Sequence, residues 1–273
     1  MRGFFHSMSN DSLVSGLPLD YLLPYTLQST PMASVQQHEK MWVVAAMLCR
    51  YLETFTDGVI VMNGKEPLGV LGGRELLAKL LRNPTLEFFE DYEARQVMTE
   101  HINIISPKTT LGELLSMMMR QRIGIALIPY NDHDYSSISV RSLLEIAAVS
   151  KSDMKVSNIP KKNIVTISPD CTIKDVILTM LQYQTRKLVF EDFSTYVSDR
   201  GIIEKIALGL DYLSYSPDFL DMKASLFNPK SLKKLNGDMK ITSLSKIMIG
   251  MDVPYVLVND QIISSWDIGM LLK

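Results

Sequence analysis

Cysteine and histidine are scarce in this 273-residue sequence, with two cysteines, Cys49 and Cys171, and four histidines, His6, His38, His101 and His133. Two thiols so far apart make no disulfide framework, and histidines so scattered show no zinc-ligand spacing. Charge of one sign is missing too, since 28 Lys and Arg face 30 Asp and Glu for a formal net charge of −2. Without a basic block, broad adhesion to nucleic acid or to an anionic membrane is not expected. The longest strongly apolar run, Met41 to Cys49, falls well short of the ~20 residues that span a bilayer. The opening residues, Met1 to Ser7, lack the apolar core of a secretory signal. The expectation is a cytoplasmic protein with no membrane contact. At 47% hydrophobic and 21% charged residues, the composition is that of a globular chain, long enough for one large domain or two modest ones.

Within that ordinary composition lies an internal repeat. The segment Ile164 to Met180 lies over Ile102 to Met118 without a gap, and Ser168-Pro169 meets Ser106-Pro107. Leu111, Leu114, Leu115 and Met118 meet Ile173, Val176, Ile177 and Met180. Spacing of i, i+3, i+4, i+7 is the apolar face of an amphipathic helix. Thr110-x-x-Glu113 and Thr172-x-x-Asp175 open both helices as capping boxes. A fourth copy follows, with Ile241, Leu244 and Met248 on its helix and Val256-Leu257-Val258 on its strand. There Ser245 replaces an apolar residue, and Gly250 and Pro254 disturb the helix end. The first copy is the most divergent: a helix over about 39–53, a strand Val59 to Met62, a turn at Asn63-Gly64, a strand Leu68 to Leu71 and a helix Arg74 to Leu81. Asn-Gly between apolar runs is a strong hairpin signal. Each copy reads strand, helix, hairpin of two strands, helix. Segments 82–95, 150–155 and 208–224 read as connectors.

A βαββα unit carrying Ser106-Pro107-x-x-Thr110-Leu111-x-Glu113-Leu114 before its first helix and Ile263-Ser264-x-x-Asp267 before its second resembles the CBS domain. The resemblance covers about residues 20 to 273. It implies an α/β fold of four CBS units paired into two pseudo-symmetric Bateman modules. The first module would be 20–149, with units at about 20–82 and 96–149. The second would be 156–273, with units at about 156–210 and 225–273. Such modules commonly bind adenine nucleotides or S-adenosylmethionine and regulate a partner. The ribose-binding signature of the family is Gly-h-h-Ser/Thr-x-x-Asp, with h hydrophobic. Copy one has Gly69-Val70-Leu71-Gly72-Gly73-Arg74-Glu75, copy two Ser139-Val140-Arg141-Ser142 and copy three Ser198-Asp199-Arg200-Gly201. Copy four alone, with Ser264-Ser265-Trp266-Asp267, keeps both hydroxyl and acid.

The resemblance therefore implies a ligand site with Asp267 on the ribose hydroxyls and Ser264 toward phosphate, between copies three and four. Lys234 and Thr166, equivalent on the first strands of their copies, would line the cleft, with Ser198 and Arg200 beside them. A carboxylate can accept from two vicinal hydroxyls, and a helix start offers free N–H groups to phosphate. Each reading has a plainer rival. Ser264-x-x-Asp267 is also a helix cap. Arg74, Arg141 and Arg200 could meet phosphates or simply be solvated. Trp266 could stack on a base, but burial is the simpler reading. Asn131-Asp132-His133-Asp134 reads as a hairpin tip rather than a metal site. Glu87 to Glu93 reads as a connector that packs its rings and exposes its acids, and Gly69, Gly72 and Gly73 as a tight strand-to-helix turn. Cys171 precedes a helix start, where thiolate is favoured, yet reads as inert.

The expectation is a non-enzymatic module with no tightly bound cofactor, sensing AMP, ADP, ATP or S-adenosylmethionine. No effector domain is expected beyond the repeats, so its output would be changed contacts with a protein partner or self-association. The 17 methionines suit adaptable contacts, including those of a homodimer. The alternative is a degenerate scaffold for protein assembly without a ligand.

Overall fold

The computed structural model describes residues 14–23, 32–51, 58–130, 134–150, 152–209, 213 and 219–273. Every copy has the expected order. Copy 1 consists of β1 (Ser34–Gln36), α1 (Met41–Tyr51), β2 (Gly58–Asn63), β3 (Glu66–Gly72) and α2 (Gly73–Leu80). Copy 2 consists of β4 (Asn103–Ile104), α3 (Leu111–Gln121), β5 (Ile125–Pro129), β6 (Tyr135–Ser139) and α4 (Ser142–Val149). Copy 3 consists of β7 (Thr166–Ile167), α5 (Ile173–Tyr183), β8 (Lys187–Phe190), β9 (Thr195–Ser198) and α6 (Asp199–Ala207). A short β10 (Lys230–Ser231) then adds an edge to the copy 3 sheet. Copy 4 consists of β11 (Lys233–Leu235), α7 (Ile241–Ile249), β12 (Tyr255–Val258), β13 (Gln261–Ser264) and α8 (Ser265–Leu271).

In each sheet the first strand runs parallel to the second and the hairpin is antiparallel, as β1–β2 and β2–β3 show. A first helix must therefore cross over between the parallel strands, burying one face on the sheet. That face is the one the spacing predicts: Leu111, Leu114, Leu115 and Met118 are wholly buried, as are Ile173, Val176 and Ile177. Both capping boxes form, with Thr110 Oγ1 accepting from the Glu113 N–H at 3.3 Å and Thr172 Oγ1 from the Asp175 N–H at 3.1 Å. These helices also end alike, on left-handed Arg122 and Gln184. In copy 1 the two-residue hairpin loop is Gly64-Lys65, one position later than the Asn63-Gly64 expected, because Asn63 still pairs with Glu66. Gly64, at φ +61°, supplies the positive φ that such a turn requires. The buried strand residues expected from the sequence, Leu127, Val189 and Leu257, are 0, 0 and 7% exposed.

Two compact units result, and they interleave the chain: one comprises 1–32, 103–162 and 233–273, the other 33–102 and 163–232. Copies 2 and 4 thus share the first unit and copies 1 and 3 the second, whereas the sequential halves 20–149 and 156–273 cut across both. Helical faces make each unit. In the first, α4 packs on α7 and α8; in the second, α6 packs on α1 and α2. Gly269 allows α8 against α4, since a Cβ there would overlap the Leu143 side chain.

The three expected connectors, together with the segment before copy 1, prove to be straps. Each lays one residue antiparallel against the residue preceding a first helix: Pro18 on Thr110, Glu93 on Lys40, Lys155 on Lys240 and Lys223 on Thr172. The same pair of hydrogen bonds recurs in every copy. The Leu111, Met41, Ile241 and Ile173 N–H groups donate to the Leu17, Tyr92, Met154 and Met222 carbonyls at 2.9–3.0 Å. In return Leu19, Ala94, Val156 and Ala224 donate to Thr109, Glu39, Met239 and Cys171 at 2.8–3.0 Å. Strap side chains Leu19, Val156 and Ile159 join the core of the first unit, and Ala94, Val97, Ala224 and Phe227 that of the second. The 87–93 segment packs its rings as expected, with Phe88 and Phe89 buried edge to face at 5.1 Å.

Ser245 leaves a defect in α7. It is fully buried, and its hydroxyl has no hydrogen-bond partner among the described residues. Replacing a buried, unsatisfied hydroxyl by hydrogen removes a desolvation penalty of ~1–3 kcal/mol. Ser245→Ala is expected to stabilise the protein by about 1 kcal/mol, read as a higher urea midpoint at unchanged slope; an unchanged or lower midpoint would contradict this account of Ser245.

Candidate functional site

The second helix of each copy starts where the family signature would place hydroxyl and acid, and local capping shapes all four starts. The Gly72 N–H donates to Glu75 Oε2 at 3.0 Å and the Ser139 N–H to Ser142 Oγ at 3.2 Å. The Ser264 N–H donates to Asp267 Oδ2 at 2.9 Å, and the Ser264 hydroxyl donates to the same oxygen at 2.6 Å. In copy 3 the acid position is Gly201, and the cap reverses: Ser198 Oγ accepts from the Gly201 N–H at 3.0 Å. An acceptor three residues into a helix satisfies an N–H that the helix cannot.

Asp267 is buried, at 8% exposure. Its second oxygen, Oδ1, accepts from Lys162 Nζ at 2.5 Å, and the lysine side chain is 63% exposed. Lys162 ends the strap that crosses copy 4. Upstream, Ser157 donates to both Asp238 oxygens, Gln261 Nε2 reaches the Ile159 and Pro160 carbonyls, and Lys161 meets Asp260 at 3.2 Å. The strap therefore ties the start of α7 to the start of α8. Lys162 was not among the residues singled out from the sequence, because it lies 105 positions from its partner; the only signal was a lysine doublet ahead of the first strand of copy 3.

The six expected site residues divide between the two units. Ser264 and Asp267 touch, and Lys234 lies exposed on β11 of the same unit. Thr166, Ser198 and Arg200 belong to the other unit, with Thr166 exposed on β7. Ser198 is buried as the cap of α6. Arg200 is 4% exposed and donates from Nη1 to the Leu48 carbonyl at 3.0 Å, in the last turn of α1. Arg141, its equivalent, donates to the Ile249, Met251 and Asp252 carbonyls where α7 ends. Cations suit helix C-termini because unpaired carbonyls and the helix dipole gather negative charge there. Arg74 instead pairs with Glu75 at 3.3 Å. Trp266 packs on the core of its unit. Residues 131–133 lie outside the described residues, and no group of side chains that could hold a metal ion occurs among the described residues. Gly69 and Gly73 serve close packing rather than a turn: a Cβ would overlap the Thr99 carbonyl at Gly69 and the Asp199 carboxylate at Gly73.

Asp199 is the most buried acid among the described residues of the second unit, at 2% exposure, with Arg186 Nε on its Oδ2 at 2.7 Å. Burial by itself would raise its carboxyl, but the charges of Arg186, Arg200 and Lys187 together outweigh that and hold it below the usual carboxylate range. The thiol of Cys171 goes the other way, raised chiefly by burial and then by the neighbouring Asp175, which fits an inert cysteine.

The CBS domain family model matches residues 94–146 and 156–205, the two central copies with the segments just before them. Those two stretches of the chain are CBS domains. A solved structure from Methanocaldococcus jannaschii, described as that of an archaeal homologue candidate of γ-AMPK, superposes with a TM-score of 0.78 at 13% identity, covering 93% of this chain and 99% of that one. An uncharacterised conserved protein of Pyrococcus horikoshii gives a TM-score of 0.52 at 10% identity over 80% of this chain and 91% of that one. At such identities the likeness is one of fold. Among curated proteins none matches. No helix among the described residues is long and apolar enough to cross a membrane.

Removing one partner of a buried ion pair strands the other, at a cost of ~3–5 kcal/mol. Arg186 is partly exposed, so Asp199→Ala is expected to cost about 3 kcal/mol in urea unfolding, the low end of that range. The sign of the pH dependence follows from the lowered carboxyl. Its contribution is complete above the unfolded value of 3.8 and is lost as pH falls through the lower folded value. Asp199→Asn is therefore expected to unfold with a shallower dependence on pH below about 4 than the parent; parallel acid-unfolding curves would contradict the assignment.

Proposed function

We propose that the protein is a non-catalytic regulatory module that binds an adenine nucleotide or related adenosyl ligand at copy 4. The reading rests on one observation: Asp267 is a buried carboxylate, placed by Ser264 at the start of α8, in the only copy that combines hydroxyl and acid. Such a carboxylate can accept from the two ribose hydroxyls. Lys234, exposed on β11, is the residue proposed to meet phosphate, and Thr166 enters only as its equivalent in copy 3. The output proposed is a change in contacts with a protein partner or in self-association, a homodimer included. The halves 20–149 and 156–273 enter the proposal as the ligand-responsive modules, because straps are exchanged between the two copies of each half: residues just before copy 1 strap copy 2, and residues before copy 2 strap copy 1.

A second reading, a scaffold without ligand, is favoured by the capping bonds at the other three helix starts and by the engagement of Arg141 and Arg200 with helix ends. A melting panel with AMP, ADP, ATP and S-adenosylmethionine separates the two. A ligand at a hundredfold excess over its Kd stabilises the folded state by ~2.7 kcal/mol. For whichever ligand raises the Tm, Asp267→Ala is expected to weaken binding about tenfold or more in titration calorimetry. A folded variant that binds as tightly as the parent would refute the site, and a silent panel would leave the scaffold.

A further inference from the structure

The ion pair on Asp267 bears on which ligand copy 4 accepts. Oδ2 already accepts two hydrogen bonds from Ser264, so the fold itself occupies that oxygen. Among the described residues Oδ1 is held by Lys162 alone, from an exposed stem. A ribose reaching for the carboxylate must compete for Oδ1 and so loosen the ammonium. Lys161, next in the chain, is engaged with Asp260, so the cation released at Asp267 is that of Lys162.

We propose, building on the nucleotide reading above, that Lys162 is a specificity-determining residue that makes copy 4 select phosphorylated nucleosides over neutral ones. A ligand that displaces the ammonium without offering another anion forfeits the ion pair. A ligand that carries phosphate replaces one anionic partner with another, and the four-carbon stem of lysine allows the ammonium to swing to it. Before binding, the same ammonium neutralises Asp267, so an incoming phosphate does not face an uncompensated carboxylate. The charge-exchange step breaks no covalent bond and needs no further reactant.

The test compares AMP with adenosine by titration calorimetry on the full chain, for the parent, Lys162→Met and Lys162→Arg. The parent is expected to favour AMP. In Lys162→Met the ratio of AMP to adenosine affinity is expected to fall about fivefold, close to the most that an exposed ion pair supports, and Lys162→Arg is expected to retain the preference. Melting curves establish that each variant is folded, and Lys162→Gln makes the same comparison if Lys162→Met is not. If AMP binds and the ratio is the same in the parent and the neutral variants, Lys162 does not set the preference, while the nucleotide site stands. If neither AMP nor adenosine binds the parent or any variant, both the selectivity and the nucleotide reading fall, and the Ser264–Asp267–Lys162 cluster is a helix cap with a surface ion pair.

Discussion

Four antiparallel backbone bridges, one at the start of each first helix, are the constraint on which the rest of the structure depends. A helix start leaves N–H groups without intrahelical partners. Here the N–H groups of Met41, Leu111, Ile173 and Ile241 are satisfied by carbonyls from straps that belong, in sequence order, to a neighbouring copy. The βαββα unit is therefore not self-sufficient. Copy 2 is closed by residues that precede copy 1, and copy 1 by residues that precede copy 2; copies 3 and 4 repeat the exchange. Each strap also carries apolar residues into the core it crosses, so losing a bridge would expose both polar backbone and apolar side chain. Cooperative folding of the copies follows from that coupling, because no copy has its full set of backbone partners alone.

The helix ends divide the remaining polar work. At C-termini the cations Arg141 and Arg200 collect carbonyls at the ends of α7 and α1. At N-termini the acceptor is whatever the third position of the signature supplies: Glu75, Ser142 or Asp267, with Ser198 reversing the arrangement where Gly201 offers nothing. One geometric need is thus met by four side-chain solutions. Selection for helix capping alone can retain an acid or hydroxyl there, and so can selection for a ligand. Asp199, one residue after Ser198, is committed differently, to Arg186 and to a close approach that only glycine permits at position 73.

The first helices and their hairpins were legible in the sequence because side chains write their pattern directly. Leu111 to Met118 and Ile173 to Met180 show helical spacing, Thr110 and Thr172 announce the caps, and apolar runs such as Leu188-Val189-Phe190 mark the middle strands. The straps were not legible. Their defining contacts are backbone N–H and C=O groups, which every residue but proline carries, so Leu17, Tyr92, Met154 and Met222 bear no common side-chain mark. The interleaved units were hidden for a related reason: α4 meets α7, and α6 meets α1, across long stretches of chain that contain whole copies. The engagement of Arg200 escaped because the position resembles a phosphate-binding one, and only a folded chain brings the Leu48 carbonyl to it.

For copy 4, the coincidence of ligand motif and capping motif resolves at the level of single oxygens. Oδ2 of Asp267 belongs to the fold, since the Ser264 N–H and hydroxyl both end on it. Oδ1 belongs to an ammonium that is mostly in water, where an ion pair contributes little, ~0–1 kcal/mol. A cap needs only the first of these oxygens. The Glu75 cap of copy 1 uses one oxygen toward Gly72 and leaves the other to an exposed arginine in the same way, but there the residue at the cap is glycine and no hydroxyl is present. What separates copy 4 is the addition of the Ser264 hydroxyl, which fixes the carboxylate by a second bond and so holds Oδ1 in a defined direction. A carboxylate held at one oxygen and weakly engaged at the other can cap a helix and still accept a ligand, because the two tasks draw on different atoms.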